Sequence, residues 1–223
     1  MNTRTRCPGP VFWLLALLLT AASAARSVAE APEMDPASWQ RLASGEVLVQ
    51  NLRTSDSGGS VQVRALMHID VETLWTYIAS CDAVFDYVDG MLECELLEVR
   101  HEPGADISKV RQVIDKGWLI PKMDYIIEVR REPYTRVNFR LLEGNLKTIQ
   151  GEWRFTGLKE RAGLLVTHEI QVQPSFPVPR WIIRRNMRRD LPDMLACLRG
   201  LTGGSGDLPQ DADLARCPRN QGS

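Results

Sequence analysis

The sequence predicts an α+β domain in which a curved antiparallel sheet is closed by one long C-terminal helix. Three observations carry that reading. Between Met91 and Pro174, five or six extended segments are separated by turn signals and show no helical period. Upstream, Val61, Val63, Ala65, Met67 and Ile69 alternate strictly and share one face of a strand. Downstream, Arg180 to Leu201 carries Ile183, Met187, Leu191, Met194, Leu195, Leu198 and Leu201 along one apolar stripe. That is the one long helix left to cover a sheet.

Length and composition set the frame. The 223 residues, 44% of them apolar, suit one domain with one sizeable core. Lys and Arg number 27 against 28 Asp and Glu, and this near-neutral balance excludes a general nucleic-acid binder but not a local basic patch. The chain divides into a leader (1–24), a lead with a short helix (25–45), the folded domain (46–201) and a polar tail (202–223). The tail is rich in Gly, Pro and Asp and is expected to be disordered apart from a Cys217 tether.

In the leader, Arg4 and Arg6 precede the apolar run Val11 to Leu19, and Ala22-Ser23-Ala24 offers small residues for cleavage. The run is shorter than the roughly 20 residues that span a bilayer. It reads as a secretory signal peptide cleaved near Ala24, with an uncleaved anchor as the alternative. Cys7 precedes the run, which argues against a lipoprotein. The expected destination is the periplasm or the outside of the cell. There, Cys81, Cys94, Cys197 and Cys217 allow two disulfides in three pairings. Cys81 with Cys94 and Cys197 with Cys217 would tie neighbouring elements, with free thiols as the alternative.

The elements follow in order. Asp35 or Ser38 caps a short helix over Trp39 to Ala43, ended by Gly45. Residues 46–53 and 61–69 make a hairpin about the turn 54–59. Asp70 caps a helix over 71–79, and a second short helix falls within 81–90, closed by Gly90. The strands of the meander are 91–100, 108–117, 124–132, 137–144, 148–157 and 163–173. Tyr125, Ile127 and Val129 share an inward face, as do Val137, Phe139 and Leu141, then Ile149, Gly151, Trp153 and Phe155, then Val166, His168, Ile170 and Val172. The opposite face carries Asp124, Glu128, Arg130, Arg136, Arg140 and Glu169 and reads as wet. Pro177 and Pro179 lead into the last helix, and Pro192 removes one backbone donor and is expected to kink it there.

Two strands, a helix pair, a meander and a proline-led terminal helix resemble the helix-grip fold of the START-like (SRPBCC) superfamily. Its members include lipid-transfer START domains, polyketide cyclase/dehydrase proteins and coenzyme Q-binding proteins. The resemblance rests on VETLWTYIASCDAVFDYVDGM, GNLKTIQGEWRF and FPVPRWIIRRNMRRDLPDMLACLRG and covers Glu46 to Leu201. It implies a cavity between sheet and helix for an apolar ligand such as a lipid, sterol or quinone.

Catalytic signatures are sparse. HExxH, CxxC, G-x-S-x-G and a phosphate-cradling glycine loop do not occur, and the Cys and His spacing supports no metal or other cofactor. His68 falls on a wet face and His101 in a turn. His168 is the ionisable group that parity sends inward. It reads as a core histidine satisfied by Tyr125 or Gln112, as an anchor for a ligand head group, or as a general acid/base working with Tyr125 or Glu143. With the resemblance, Gln112, Trp118, Tyr125, Phe139, Gly151, Trp153, Phe155, His168, Ile183 and Met187 are the expected ligand-binding residues, a filled core being the alternative for the aromatics. Trp181, Arg184, Arg185 and Arg188 read either as a solvated helix face or as a contact for anionic lipid head groups.

The expected function is an exported monomer that binds or transfers a hydrophobic ligand, with peripheral membrane contact and no nucleic-acid partner. A cyclase/aromatase-type enzyme and a ligand-free protein-interaction module are the alternatives. A cavity of roughly 300 Å³ or more separates a ligand holder from a filled core.

Overall fold

Alternating strands can pair only if their apolar parity matches, and that matching builds the sheet here. The computed structural model describes residues 33–52, 58–158 and 163–218. The leader expected over 1–24 and most of the turn expected over 54–59 lie outside them. Helix α1 (Pro36–Ala43) precedes strands β1 (Leu48–Asn51) and β2 (Gly59–Met67), which form the expected hairpin. Short helices α2 (Val71–Ile78) and α3 (Val84–Tyr87) follow. The meander comprises β3 (Met91–Glu102), β4 (Ala105–Ile114), β5 (Met123–Glu132), β6 (Arg136–Gly144), β7 (Leu146–Leu158) and β8 (Gly163–Pro174). Helix α4 (Arg180–Leu201) and a short α5 (Gln210–Leu214) complete the chain.

The eight strands form one unclosed antiparallel sheet in the order β1-β2-β8-β7-β6-β5-β4-β3. The last strand returns beside β2, placing His168 opposite Val63 and Ile170 opposite Val61. This fuses the hairpin to the meander. The inner face is the one that parity assigned: Val61, Val63, Tyr125, Ile127, Val129 and Val166 are all buried. The fold is the helix-grip arrangement, a curved sheet held against a long terminal helix.

Local chemistry fixes the helix boundaries. The Asp35 carboxylate accepts the Ser38 N–H at 2.9 Å, and the Asp70 carboxylate accepts the Thr73 N–H at 2.7 Å. Helix α4 buries Ile183, Met187, Met194, Leu195 and Leu198 and runs unbroken through Pro192. It lies so close to β2 that a Cβ on Gly59 would come within 2.7 Å of Met187 Sδ. Cys81 is bonded to Cys94 and Cys197 to Cys217.

The structure departs from expectation in three places. The outer face is not wholly wet, because Leu42, Leu66, Leu158 and Leu165 form a second apolar cluster beneath α1. The tail is ordered to residue 218: Arg199, expected on the solvated side of α4, is buried and donates two 2.7 Å hydrogen bonds to Asp213. A buried guanidinium needs a carboxylate, and Asp213 on α5 supplies it. His101 lies on β3 rather than in a turn and contacts Asp106 at 2.7 Å. Among the described residues, no helix is long and apolar enough to cross a membrane.

Candidate ligand cavity

A sheet that curves away from its covering helix leaves space between them unless large side chains fill it. Here β3 to β8, the α2–α3 segment and α4 line a partly open cavity of about 280 Å³. That is just below the 300 Å³ mark and at the small end of ligand sites, which run from roughly 300 to 1,000 Å³. Val110, Ile127, Val129, Ile149, Ile183 and Met194 contribute to a largely apolar wall.

Of the residues expected to bind ligand, Gln112, Tyr125, Phe139, Trp153, His168, Ile183 and Met187 come together around this space. The other three do not. Trp118 is 92% exposed on the loop between β4 and β5. Phe155 has inward parity but lies under α2, edge-on to Trp75 at 6.0 Å. Gly151 opens no room for a ligand, because the Phe139 ring already occupies the place of its missing side chain.

The polar groups on the wall are few and specific. The Tyr125 hydroxyl donates to Gln112 Oε1 at 3.1 Å, so neither is the partner of His168. Burial pushes the Tyr125 phenol above its ordinary value. His168 stacks on Trp153 with ring centroids 4.0 Å apart, and its Nδ1 lies 3.1 Å from the Glu152 carbonyl oxygen. A carbonyl only accepts, so Nδ1 carries the proton and Nε2 is left as an acceptor. Burial lowers the His168 pKa to about 4, against the opposing pull of the Glu152 carbonyl. No acid or base among the described residues is bonded to the ring, and Glu143 is exposed. The ring can accept one hydrogen bond from a ligand but has no partner for proton transfer.

Four charged residues outside the expected set also line the space: Asp89, Lys116, Asp190 and Arg131. Lys116 sits on the loop after β4. Its ammonium bonds Asp190 of α4 at 2.9 Å and Asp89 of the α3–β3 turn at 3.0 Å. One side chain thus ties three covering segments together at one end of the cavity. Arg131 follows Tyr125, Ile127 and Val129 in the same inward parity, and that parity was the signal for it. Its guanidinium donates to the Ser108 hydroxyl.

The four residues expected at a membrane lie elsewhere, on the outside of α4. Trp181 is 61% exposed, and Arg184, Arg185 and Arg188 continue the same helical face without an ion pair among the described residues. No group of three or more His, Cys, Asp or Glu among the described residues is placed to hold a metal ion.

Comparison with known proteins agrees with this geometry. Residues 67–199 match the family model described as polyketide cyclase/dehydrase and lipid transport. Among solved structures, the STAR-related lipid transfer protein of Xanthomonas axonopodis is similar, with 12% identity, a TM-score of 0.59, and coverage of 70% of this chain and 93% of that one. An 18 kDa protein of Caulobacter crescentus has 16% identity and a TM-score of 0.52, over 64% of this chain and 95% of that one. A START superfamily protein of Mycobacterium smegmatis has 16% identity and a TM-score of 0.51, over 65% and 94%. At such identities the likeness concerns the fold. A comparison with curated proteins returns no match.

Proposed function

Because the chain belongs to the polyketide cyclase/dehydrase and lipid transport family, we propose that it is an exported carrier that holds a small hydrophobic ligand between sheet and α4. The observation that carries this reading is the cavity of about 280 Å³ with its apolar wall, with the Lys116, Asp89 and Asp190 ion pairs at one end. Its size favours a single-chain lipid or a compact ring system over a two-chain phospholipid. His168 Nε2 and the Gln112–Tyr125 pair supply a few fixed polar contacts of the kind that orient a ligand in an apolar site.

Export is supported by two disulfides, which persist in oxidising compartments and are rare in reducing ones, and by the leader-like first 24 residues. Membrane docking is assigned to Trp181, Arg184, Arg185 and Arg188. Trp118 and Leu119 are also exposed, on the loop that Lys116 fastens to α4. Each cation near an anionic surface contributes about 1 kcal/mol.

Vesicles test both parts. The mature protein should extract a fluorescent single-chain lipid, and faster from vesicles containing anionic lipid than from neutral ones. Val129→Trp, which fills the cavity, should abolish uptake while the circular dichroism spectrum is kept. Replacing Arg184, Arg185 and Arg188 by Gln should remove the preference for anionic vesicles. No extraction by the unaltered protein, or uptake undiminished by the tryptophan, would contradict the carrier reading.

A further inference from the structure

A guanidinium buried beside an apolar cavity without a carboxylate is costly unless something else supplies the charge. Arg131, half-buried on β5, approaches that position. It offers five N–H donors, yet makes one side-chain hydrogen bond, to the neutral Ser108 hydroxyl, and no ion pair among the described residues. Its Nε is buried with no partner. Burial disfavours its charged form, and the neighbouring Tyr87 and Asp106 only partly offset that.

The groups around it supply only part of the missing charge. Asp106 stands opposite Arg131 in the β4–β5 register, but its carboxylate is held by the exposed ring of His101 at 2.7 Å. Tyr87 lines the same cavity and is buried, with its phenol pushed well above the ordinary value, so it stays a neutral hydroxyl. Arg199 of α4 makes a useful contrast: more deeply buried than Arg131, it has Asp213 as its partner.

The position is as telling as the chemistry. Arg131, Val137, Trp153 and His168 stand opposite one another in a single row across β5, β6, β7 and β8. At about 4.8 Å per strand, Arg131 is roughly 14 Å from His168 along that row. Along β5 it lies at the opposite end from Met123, the end near which Lys116 fastens the loop to α4. The cavity therefore has a satisfied ion-pair cluster at one end and, at another, a cation without an ion-pair partner among the described residues.

We infer that the cavity takes an amphiphile with a carboxylate head, bound at Arg131 with Ser108 and Tyr87 beside it, and with its apolar chain along the Val129, Ile127 and Ile149 wall. A single cation calls for a monoanion, and a carboxylate matches the planar guanidinium by paired hydrogen bonds. The inference rests on the carrier reading and narrows it to single-chain carboxylic acids.

The test uses the disulfide-bonded protein, cleared of lipid, and two fluorescent probes: cis-parinaric acid and its methyl ester. Titration at pH 7.5 should give at least tenfold tighter binding of the acid than of the ester. Arg131→Met and Arg131→Gln should bring that ratio to near one, and Arg131→Lys should keep part of it. Equal binding of acid and ester by the unaltered protein overturns the inference and leaves the carrier reading standing, as does a ratio that persists in both Arg131 variants. Binding of neither probe overturns both.

Discussion

Burying a histidine against a tryptophan makes the fold sensitive to acid. The folded pKa of His168, about 4, lies below its ordinary 6.5. Between those values the unfolded chain takes up a proton that the folded chain refuses, so stability falls as pH drops through that window. The loss amounts to on the order of 3 kcal/mol by pH 4. Urea midpoints for the protein and for His168→Gln, taken from pH 7 to pH 4, should diverge at the upper end and converge at the lower; parallel slopes would contradict the burial. Asp213 acts in a separate window. Burial would raise its carboxyl, but hydrogen bonds from Arg199 and Ser205 hold it below 3.8, so its contribution is lost only as pH falls below that value. His168 was legible from strand parity alone. Arg131 obeys the same parity, and Arg130 on the wet face implies its inward place, but the inward set read from the sequence ends at Val129. Arg199 was not legible, because its partner lies 14 residues further on in a segment with no apolar pattern.

Among the elements, α4 was the most readable, its stripe and proline lead marking Arg180 to Leu201. Parity is silent outside strands, which is why Trp118, on a loop, ended in solvent. Parity also gives a face without a location along it, so Phe155 was assigned correctly inward but belongs under α2. The tail is illegible for a different reason: it is held by contacts that carry no apolar pattern, namely the buried Arg199–Asp213 pair, the Arg216–Asp193 pair, the His68 N–H to the Gly204 carbonyl and one covalent tether. Removing the tether tests that account. The Cys197–Cys217 bridge closes a loop of 20 residues, for which chain entropy predicts about 3 kcal/mol. Cys217→Ser should lower stability by that order and speed hydrogen exchange across 202–218, with β7 and β8 retaining their protection. A variant as stable as the parent would show that the non-covalent contacts, Arg199–Asp213 and Arg216–Asp193 among them, hold the tail without the tether.

At the scale of the whole molecule, the strand order joins β8 to β2 and so completes the inner face that α4 covers. Alternation predicts that such a face exists. It does not predict whether the space above it is filled, since that depends on how Phe139, Trp153 and Tyr125 pack and on the close approach of α4 at Gly59. The cavity, its ion-pair cluster and Arg131 become visible only with the sheet, the helices and the loops in place. The central claim is that this space holds a hydrophobic ligand. Native mass spectrometry of the protein purified gently from its expressing cells tests it most directly. The account predicts a bound species of the mass of a single-chain carboxylic acid or similar small lipid, released on unfolding and identifiable by fragmentation. A protein consistently of bare polypeptide mass that also fails to take lipid from liposomes would contradict it.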